Sequence, residues 1–424
     1  MLSWGKVSVQ LLFRMGLLAG GFAYLGYFSV ILVGQWLLDH PTRENLDRGI
    51  RWDSRNPALW SAYARQWHFL PDSPDAPRAV EGYHRAGSLN PLDPNTWKDL
   101  ASVHMERGER EEAEVALRTE LASIPHSPQA SWRLANFLLV SGRTAEALPL
   151  LRTAANELSL RVAVFDLAWK LEDDPEVILR ELVPATREVR ADYLQFLLAR
   201  RRLAAAYPVW QEIAAGDTGL KVRLGNIYVE ALAGAGMGAE AGRVWDEILA
   251  LTGRTFLKPP GELLTNGDFE SDIPNAGLGW RLTKGAGYQI ALDEFTFQNG
   301  TRSLRVSFDG TVNVNFAGVW GTVPVEPNRR YRFEGYLRTD SITTDNGLFF
   351  TISSVGVPSG EAFSHSTANH VETMGWVREQ LDFQTGPRTT VVLIQLRRSP
   401  SPKLNNLIQG KVWIDNLSLQ TRVP

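Results

Sequence analysis

Few residues in this sequence have the type and spacing that covalent or metal chemistry requires. There is no cysteine, which excludes thiol catalysis, thiolate zinc sites and disulfides. The seven histidines show no H-E-x-x-H spacing, and His365 and His370 lie in a polar stretch where we expect them to be solvated. No P-loop, dinucleotide fingerprint or G-x-S-x-G elbow is present. The sequence therefore predicts a protein that is not an enzyme and has no catalytic residue.

The elements that would position any site are expected to divide among several domains. A chain of 424 residues exceeds the roughly 250 to 300 residues that one hydrophobic core can serve. Its formal net charge of −3 creates no field that would attract nucleic acid. The fourteen tryptophans fall in both halves of the chain, so most of them must be packing residues rather than parts of one ligand site. Two or three domains and no nucleic-acid partner are predicted.

The N-terminal segment predicts a membrane helix. The sequence between Arg14 and Asp39 has no charged residue, and it is long enough to cross a hydrocarbon layer of roughly 30 Å. Because Lys6 and Arg14 precede it, the positive-inside rule favours a cytoplasmic N-terminus. We predict a cytoplasmic tail at 1–14 and a transmembrane anchor at 15–38. A cleaved signal peptide is the alternative, although the apolar run exceeds the usual 7 to 15 or so residues and no A-x-A-like site ends it.

Residues 40–257 contain a repeating pattern. Asn56-Pro57, Asn90-Pro91 and Ile124-Pro125 recur at intervals of 34 residues. Each unit has an aromatic residue followed by a small one, then a glycine turn and a second amphipathic segment. The pattern resembles tetratricopeptide repeats, closely in units two to four and loosely after residue 158. The resemblance implies an α-solenoid of helix pairs whose groove binds a peptide or protein partner. The alternative is a spacer that holds the next domain away from the membrane.

From residue 258 to 424 the helix period gives way to alternation. Lys258-Pro259-Pro260-Gly261 marks the change. Seven segments rich in β-branched and aromatic residues, separated by turn residues, predict an antiparallel β-sandwich. These segments are Arg302–Phe308, Val312–Phe316, Arg330–Thr339, Leu348–Ser353, Val377–Phe383, Thr390–Arg397 and Lys411–Leu419.

Motifs at the two ends of this region narrow the expected fold. The sequence LTNGDFE at Leu264–Glu270 opens it, and VWIDNLSL at Val412–Leu419 closes it, with GTRSLRV at Gly300–Val306 between them. Together they resemble the jelly-roll carbohydrate-binding modules, over residues 262–421. The resemblance implies a galactose-binding-like jelly roll. It permits sugar binding without requiring it, because many such domains bind something else.

The same resemblance implies a structural calcium ion where the opening motif meets the last strand. The matching positions are Asp268 or Glu270 in the opening motif and Asp415 in the closing motif. Their carboxylates are the hard oxygen ligands that calcium takes, and backbone carbonyls would have to complete the coordination. The alternative is that Asp415 caps a turn while Asp268 and Glu270 are solvated.

Sugar binding needs flat aromatic faces and planar hydrogen-bonding side chains, and the region offers several of each. The aromatic candidates are Trp280, Trp320, Tyr336, Phe350 and Trp376, and the polar candidates are Asn313, Asn315, Arg338 and Gln395. Strand alternation limits how many can serve, because neighbouring side chains point to opposite faces of a sheet. Core packing is the alternative for each aromatic residue. Burial of Trp280, Trp320, Tyr336 and Trp376 together would favour a domain without sugar affinity.

The combination predicts a non-catalytic envelope adaptor. We expect a single-pass protein of a bacterial inner membrane, with most of the chain periplasmic or extracytoplasmic, whose repeats bind a protein partner and whose sandwich binds a polysaccharide. Exopolysaccharide or cell-wall assembly or export is the expected context. The first alternative is a structural interaction component without sugar affinity. The second, a cryptic glycan hydrolase, would need paired carboxylates in a cleft, and the sequence shows none at recognisable spacing.

Overall fold

The computed structural model describes residues 4–69, 75–213, 217–254, 256 and 259–422, with side chains from residue 11 onward except that of residue 12. Its contacts divide the chain into two compact units, Met1–Ala185 and Thr186–Pro424. The predicted change from helix to strand falls inside the second unit, which contains helices as well as the sandwich. Residues 257 and 258 of the predicted boundary and residues 1–3 of the predicted tail lie outside the described residues.

The first helix, α1, runs from Trp4 to Asp39. Its segment Phe13–Asp39 has a mean hydropathy of 1.8 and is long and apolar enough to cross a membrane. The large apolar side chains from Phe13 to Val33 are mostly exposed, whereas Gly34 and Leu37 are buried against the following helices. A membrane-crossing helix is consistent with this exposure, because lipid rather than protein would surround its apolar side chains.

Short helices follow α1 in the first unit and pack in pairs, α3 with α4, α5 with α6 and α7 with α8. They are α2 Arg43–Trp52, α3 Pro57–Phe69, α4 Ala76–Leu89, α5 Pro94–Glu106, α6 Arg110–Ser123, α7 Pro128–Val140, α8 Thr144–Ala154, α9 Arg161–Leu171 and α10 Pro175–Val177, which leads into a π-helical turn at Ile178–Leu182. The second amphipathic segments predicted for the repeat units correspond to helices such as α6 and α8.

Local sequence explains why these helices begin where they do. Asp93 and Ser127 cap α5 and α7 by accepting hydrogen bonds from the backbone, and a proline at the first position of each helix has no N–H to leave unpaired. The tryptophan near the start of the first helix of a pair donates a hydrogen bond to a backbone carbonyl of the preceding turn. Trp60 Nε1 donates to Ser54 O at 2.9 Å, and Trp97 Nε1 donates to Pro91 O at 2.8 Å.

The second unit has four helices longer than a turn among its described residues, followed by ten strands. The helices are α11 Arg187–Ala199, α12 Ala206–Glu212, α13 Thr218–Gly234 and α14 Gly238–Thr252. The strands are β1 Arg281–Leu282, β2 Tyr288–Asp293, β3 Ser303–Asp309, β4 Phe316–Pro324, β5 Arg330–Ile342, β6 Phe349–Ser354, β7 Ser364–Ser366, β8 Glu372–Gln384, β9 Val391–Arg398 and β10 Gln409–Thr421.

The strands form two antiparallel five-stranded sheets that enclose one core. Their orders are β1-β4-β9-β6-β7 and β2-β3-β10-β5-β8, and we call them the β9 sheet and the β10 sheet. The core is apolar and includes the buried rings of Phe316, Phe333 and Phe350. The edges of the β9 sheet are short, because β1 has two residues and β7 has three. The predicted antiparallel sandwich is confirmed.

The predicted strand Val312–Phe316 is wrong, since only Phe316 belongs to a strand. The side chain of Asn313 explains the difference. Its Nδ2 donates to Ser401 O at 2.9 Å, and its Oδ1 accepts from Ser401 N at 3.1 Å. These side-chain hydrogen bonds tie the segment to the loop at Ser401, and they take the place of backbone pairing with a neighbouring strand. The short strands β1 and β7 and the six-residue β2 were not predicted, because their alternation is too brief to stand out.

The hairpin of α13 and α14 packs directly on the sandwich. Gly238 N donates to Thr390 Oγ1 at 3.2 Å, and Thr390 Oγ1 donates to Gly236 O. A Cβ built on Gly238 would lie 2.0 Å from Thr390 O, and one built on Gly236 would lie 3.0 Å from Gly356 O. Glycine is therefore required at Gly238 so that the two backbones can approach this closely.

Candidate binding face

The side of the β9 sheet that faces away from the core carries a row of aligned side chains. Strand register places Arg281 of β1 beside Trp320 of β4, Trp320 beside Gln395 of β9, Gln395 beside Thr351 of β6, and Thr351 beside Ser366 of β7. The neighbouring residues of β9 in the other phase, Ile394 and Leu396, lie in the core. Alternation therefore keeps this row on the outer side. We call it the Trp320 row.

The Trp320 row is partly enclosed rather than flat against solvent. Trp320, Gln395 and Thr351 are each half-buried although they face away from the core. Val391 lies on the same side of β9 and is completely buried. At this end of the sheet α14 approaches the strands, since a Cβ built on Gly242 would lie 3.8 Å from Pro324 Cγ. The hairpin of α13 and α14 thus walls one end of the face.

Arg281 fixes the other side of Trp320. Its guanidinium carbon lies 5.8 Å from the centre of a Trp320 ring, within the range of a cation–π contact. The same guanidinium forms an ion pair with Glu230 of α13 and donates to the carbonyl oxygens of Asn275 and Gly277. Arg281 is thereby held next to the Trp320 ring by both the helical hairpin and the loop before β1.

Further polar and aromatic groups extend the row. Arg397 and Phe349 face each other across β9 and β6 on the outer side, and both are half-buried. Arg397 Nη1 donates to Gln395 Oε1 at 3.1 Å. An indole ring, a planar amide and a guanidinium on one sheet face suit a ligand that has apolar C–H faces and several hydroxyl groups, because the ring packs on the former and the polar side chains exchange hydrogen bonds with the latter.

A separate cleft of about 680 Å³ opens beside β1 and β2. Ile273, Leu282, Tyr288 and Ile290 contribute its apolar walls, and Lys284 lies at its rim. The hydroxyl of Tyr288 already donates to Thr283 O at 2.9 Å. Asn275 and Gln289 also line this cleft, but the Asn275 amide already exchanges hydrogen bonds with the backbone of Leu282, so the Trp320 row is the better candidate.

The structure does not bring the predicted aromatic residues together. Trp280 and Phe350 are 3% and 1% exposed in the core, and Trp280 Nε1 donates to Asn266 O at 3.1 Å, so neither ring can lie against a ligand. Tyr336 and Trp376 are half-buried on the outer side of the β10 sheet, across the sandwich from Trp320. Only Trp320 remains from this set on the β9 sheet.

The predicted polar residues likewise lie on different parts of the sandwich. Gln395 lies beside Trp320, as described above. Arg338 is on the outer side of the β10 sheet, with its guanidinium carbon 5.7 Å from a Trp413 ring. Asn313 is occupied by its contacts with Ser401 and Arg398, so it supports a loop instead of facing a ligand. Asn315 is exposed, just before β4.

Phe349, Thr351, Arg397 and Arg281 belong to the face and were missed from the sequence. The alternation of side chains along β6 would have indicated Phe349 and Thr351. Phe350 alternates with Ile352 towards the core, so Phe349 and Thr351 must share the opposite side. The position of Arg281 depends on contacts with α13, which no local pattern in the sequence contains.

Two of the three predicted calcium ligands, Glu270 and Asp415, accept hydrogen bonds from the backbone of the same loop, residues 298–302. Glu270 accepts hydrogen bonds from the backbone N–H groups of Thr301 and Arg302, and Asp415 accepts from those of Gln298 and Asn299. Asp415 is completely buried.

The electrostatics of the two carboxylates differ. Burial raises the pKa of Asp415, and the nearby Glu270 carboxylate adds to the rise. Burial also acts to raise the pKa of Glu270, but hydrogen bonds from Thr301 and Arg302 outweigh it and lower that pKa. Asp268 is exposed and does not join them. The described residues contain no group of three His, Cys, Asp or Glu side chains that could hold a metal, so an ion here would need backbone carbonyls as well.

No protein-family model matches this chain, and no curated protein matches it. Among solved structures, the CBM22-1 xylan-binding domain of Paenibacillus barcinonensis Xyn10C is 16% identical, with 37% of this chain and 91% of that domain covered and a TM-score of 0.27. The C-terminal family 22 carbohydrate-binding module of Clostridium thermocellum Xyn10B is 14% identical, with 39% and 96% covered and a TM-score of 0.28. The MamA protein is 18% identical, with 32% and 74% covered and a TM-score of 0.27. Similarity at this level carries no argument about function.

Proposed function

We propose that this protein is a non-catalytic, membrane-anchored glycan-binding adaptor. The observation that carries the proposal is the Trp320 row, in which an indole ring lies beside a planar amide and a hydroxyl group on a partly enclosed sheet face. Such a face can recognise a saccharide chain through C–H contacts with the ring and hydrogen bonds to the sugar hydroxyls. No bond-making group is needed for this role.

The packing of α1 supports an anchor that stays attached. Leu37 is 6% exposed, in a small core with Leu46 and Leu59. Cleavage at the end of the apolar segment, as in a signal peptide, would remove Leu37 from that core. An uncleaved helix is therefore favoured over a signal peptide. On this proposal the helix lies in a bacterial inner membrane, with the N-terminus in the cytoplasm and the bulk of the chain outside it.

The helix pairs supply the second half of the adaptor role. Their 34-residue interval and proline-started first helices support a tetratricopeptide-type solenoid that binds a protein partner. Holding a partner and a glycan on one anchored chain raises the local concentration of each near the other. Polysaccharide assembly or export is the context that this arrangement would serve.

We expect a Trp320→Ala substitution to weaken glycan binding strongly. Loss of an aromatic anchor at the centre of a groove costs about 2 kcal/mol or more, or roughly thirtyfold in affinity. The full chain in detergent would be applied to a glycan array, and any hit, including soluble xylan, would be titrated by calorimetry. Trp376→Ala is the matched control, because Trp376 is also half-buried but lies on the opposite side of the sandwich.

The two possible failures of this experiment mean different things. If the folded wild-type protein binds no glycan, the sandwich is an interaction module without sugar affinity. If it binds but Trp376→Ala, not Trp320→Ala, removes binding, the site lies on the β10 sheet.

We also propose a structural calcium ion held by Glu270 and Asp415, without Asp268. A bound cation would compensate the buried Asp415 charge, whose raised pKa marks an unfavourable environment. With no cation, the raised pKa means that the folded state binds a proton at Asp415 more tightly than the unfolded state does, so the stability that this proton contributes is lost as the pH rises through that pKa.

We expect Ca²⁺ to raise the Tm of the wild-type protein at neutral pH. Saturation at 100 times Kd would add about 2.7 kcal/mol to the free energy of unfolding. The increase should disappear in Asp415→Asn and persist in Asp268→Asn, since Asp268 is exposed and apart from the other two. Calorimetry with and without a chelator measures it. An unchanged wild-type Tm would contradict the calcium proposal.

A further inference from the structure

The end of α1 is built into the first helices of the repeat region. Leu37 packs with Leu46 and Leu59, and a Cβ built on Gly49 would lie 3.2 Å from Leu37 Cδ1. Gly34 is also buried. The apolar helix therefore continues into the folded domain without a flexible linker, and the position of α2 relative to α1 is set by packing.

The contacts show that α2 runs back along α1. Leu37 lies beside Gly49, and one turn earlier in α1 a Cβ on Gly34 would lie 3.4 Å from Asn56 Nδ2, further along the chain. Advancing through α2 thus corresponds to moving backwards along α1. The turn between α2 and α3, Asp53–Asn56, lies at the level of Gly34.

The length of α1 places that level at a membrane surface. From Phe13 to Val33 the helix is about 31 Å long at 1.5 Å per residue, which matches a hydrocarbon layer of roughly 30 Å. Its apolar side chains in this part are exposed, and burial in protein begins at Gly34. If this part fills the hydrocarbon layer, the turn after α2 meets the headgroups.

The residues around the turn have the chemistry of a membrane interface. Trp36 and Trp52 are 54% and 49% exposed, and tryptophan concentrates at the headgroup level. Arg51 and Arg55 are exposed, and neither forms an ion pair with a carboxylate in the described part of the chain, although Arg51 Nε donates to Asp47 O in its own helix. Free guanidinium groups next to a bilayer are attracted to anionic lipid phosphates.

We propose that the segment Arg51–Asn56 docks on the headgroups of an anionic bilayer, with Trp36 and Trp52 at the interface. The proposal rests on the membrane anchoring proposed above. It adds a second contact with the lipid beyond the spanning helix. Because Trp60 Nε1 holds the turn through Ser54 O, the docked turn would set the direction in which the first helix pair leaves the membrane.

The absence of cysteine allows a direct test, since each variant then carries a single thiol. Ser54→Cys and Ser141→Cys place that thiol on exposed serines in two interhelical turns. Ser54 precedes a first helix and Ser141 follows one, so antiparallel pairing puts them at opposite ends of their helix pairs. The full-length variants, labelled with an environment-sensitive fluorophore, would be reconstituted into vesicles of equal parts phosphatidylglycerol and phosphatidylcholine that contain a headgroup-level quencher.

We expect the label at residue 54 to emit at shorter wavelength and to be quenched several times more than the label at residue 141. Adding Arg51→Gln and Arg55→Gln should reduce that quenching, and so should vesicles of phosphatidylcholine alone. Equal, weak quenching at both positions in protein that resists alkaline extraction would overturn the docking but leave the anchor intact. Protein removed from the vesicles by alkaline extraction would overturn the anchoring itself.

Discussion

An Arg398→Met variant is expected to lose the folded sandwich or to be the least stable single variant of it. Arg398 is 0% exposed, and its guanidinium donates to five acceptors. These are Asn346 O, Asn313 Oδ1, Val314 O, Thr344 Oγ1 and Asn406 O. Methionine would fill the space but donate none of these five hydrogen bonds. Asn313 Oδ1 and Asn346 O would keep a second donor, Ser401 N and Thr344 Oγ1, but each buried acceptor left unpaired costs about 1 to 3 kcal/mol. Lysine would not restore them, because it lacks the planar fork of donors.

Thermal or urea unfolding, followed by tryptophan fluorescence, measures the loss. Arg397→Met is the matched control, since Arg397 is the adjacent residue but points to the outer side of the sheet. It should weaken glycan binding while leaving the midpoint of unfolding near that of the wild type. If the two variants unfold at the same midpoint, Arg398 does not organise the loops as the contacts imply.

A Gly238→Ala variant is expected to release the hairpin of α13 and α14 from the sandwich. The added Cβ would lie 2.0 Å from Thr390 O, a separation that backbone atoms must move to relieve. Overpacking of this kind costs about 1 to 3 kcal/mol, and here it also breaks the hydrogen bond from Gly238 N to Thr390 Oγ1. We expect a lower Tm and faster proteolysis between α14 and β1.

The same helix supplies the control. A Cβ on Gly242 would make only an ordinary contact, 3.8 Å from Pro324, and alanine is the better helix former by roughly 1 kcal/mol. Gly242→Ala should therefore be neutral or stabilising. A Gly238→Ala variant that behaves in the same way would contradict the close backbone approach and would mean that the hairpin and sandwich are separable.

Sequence reasoning succeeded where a period repeats several times. The prolines at 34-residue intervals and the alternation of β5, β8 and β10 indicated helix pairs and a sandwich, because local patterns of this kind reflect which face is buried. It failed where a residue is positioned by distant partners. Arg281 depends on Glu230, and the grouping of α11–α14 with the sandwich depends on contacts such as Gly238 with Thr390.

For the candidate face, sequence reasoning did not identify which residues of a strand point to the outer side of the sheet. The candidates Trp320 and Gln395 lie beside each other on the outer side of the β9 sheet, a pairing that the sequence did not predict. Phe350 was chosen where Phe349 faces outward, although both residues are aromatic and adjacent, because composition alone does not say which of two neighbours points inward. Tyr336 and Trp376 could not be separated from Trp320 without knowing which strands share a sheet.

The edge strands of the sandwich determine whether neighbouring molecules can pair through their sheets. β1 and β7 are too short to template another strand, and the long edge strand β8 has exposed charges at Glu372, Arg378 and Asp382 and irregular register with β5. Short, charged or irregular edges resist strand addition between molecules. If α1 anchors each chain in a membrane, as proposed, the chains would collide often. These three edges would then disfavour merging into a continuous intermolecular sheet, which leaves the six-residue β2 as the fourth edge.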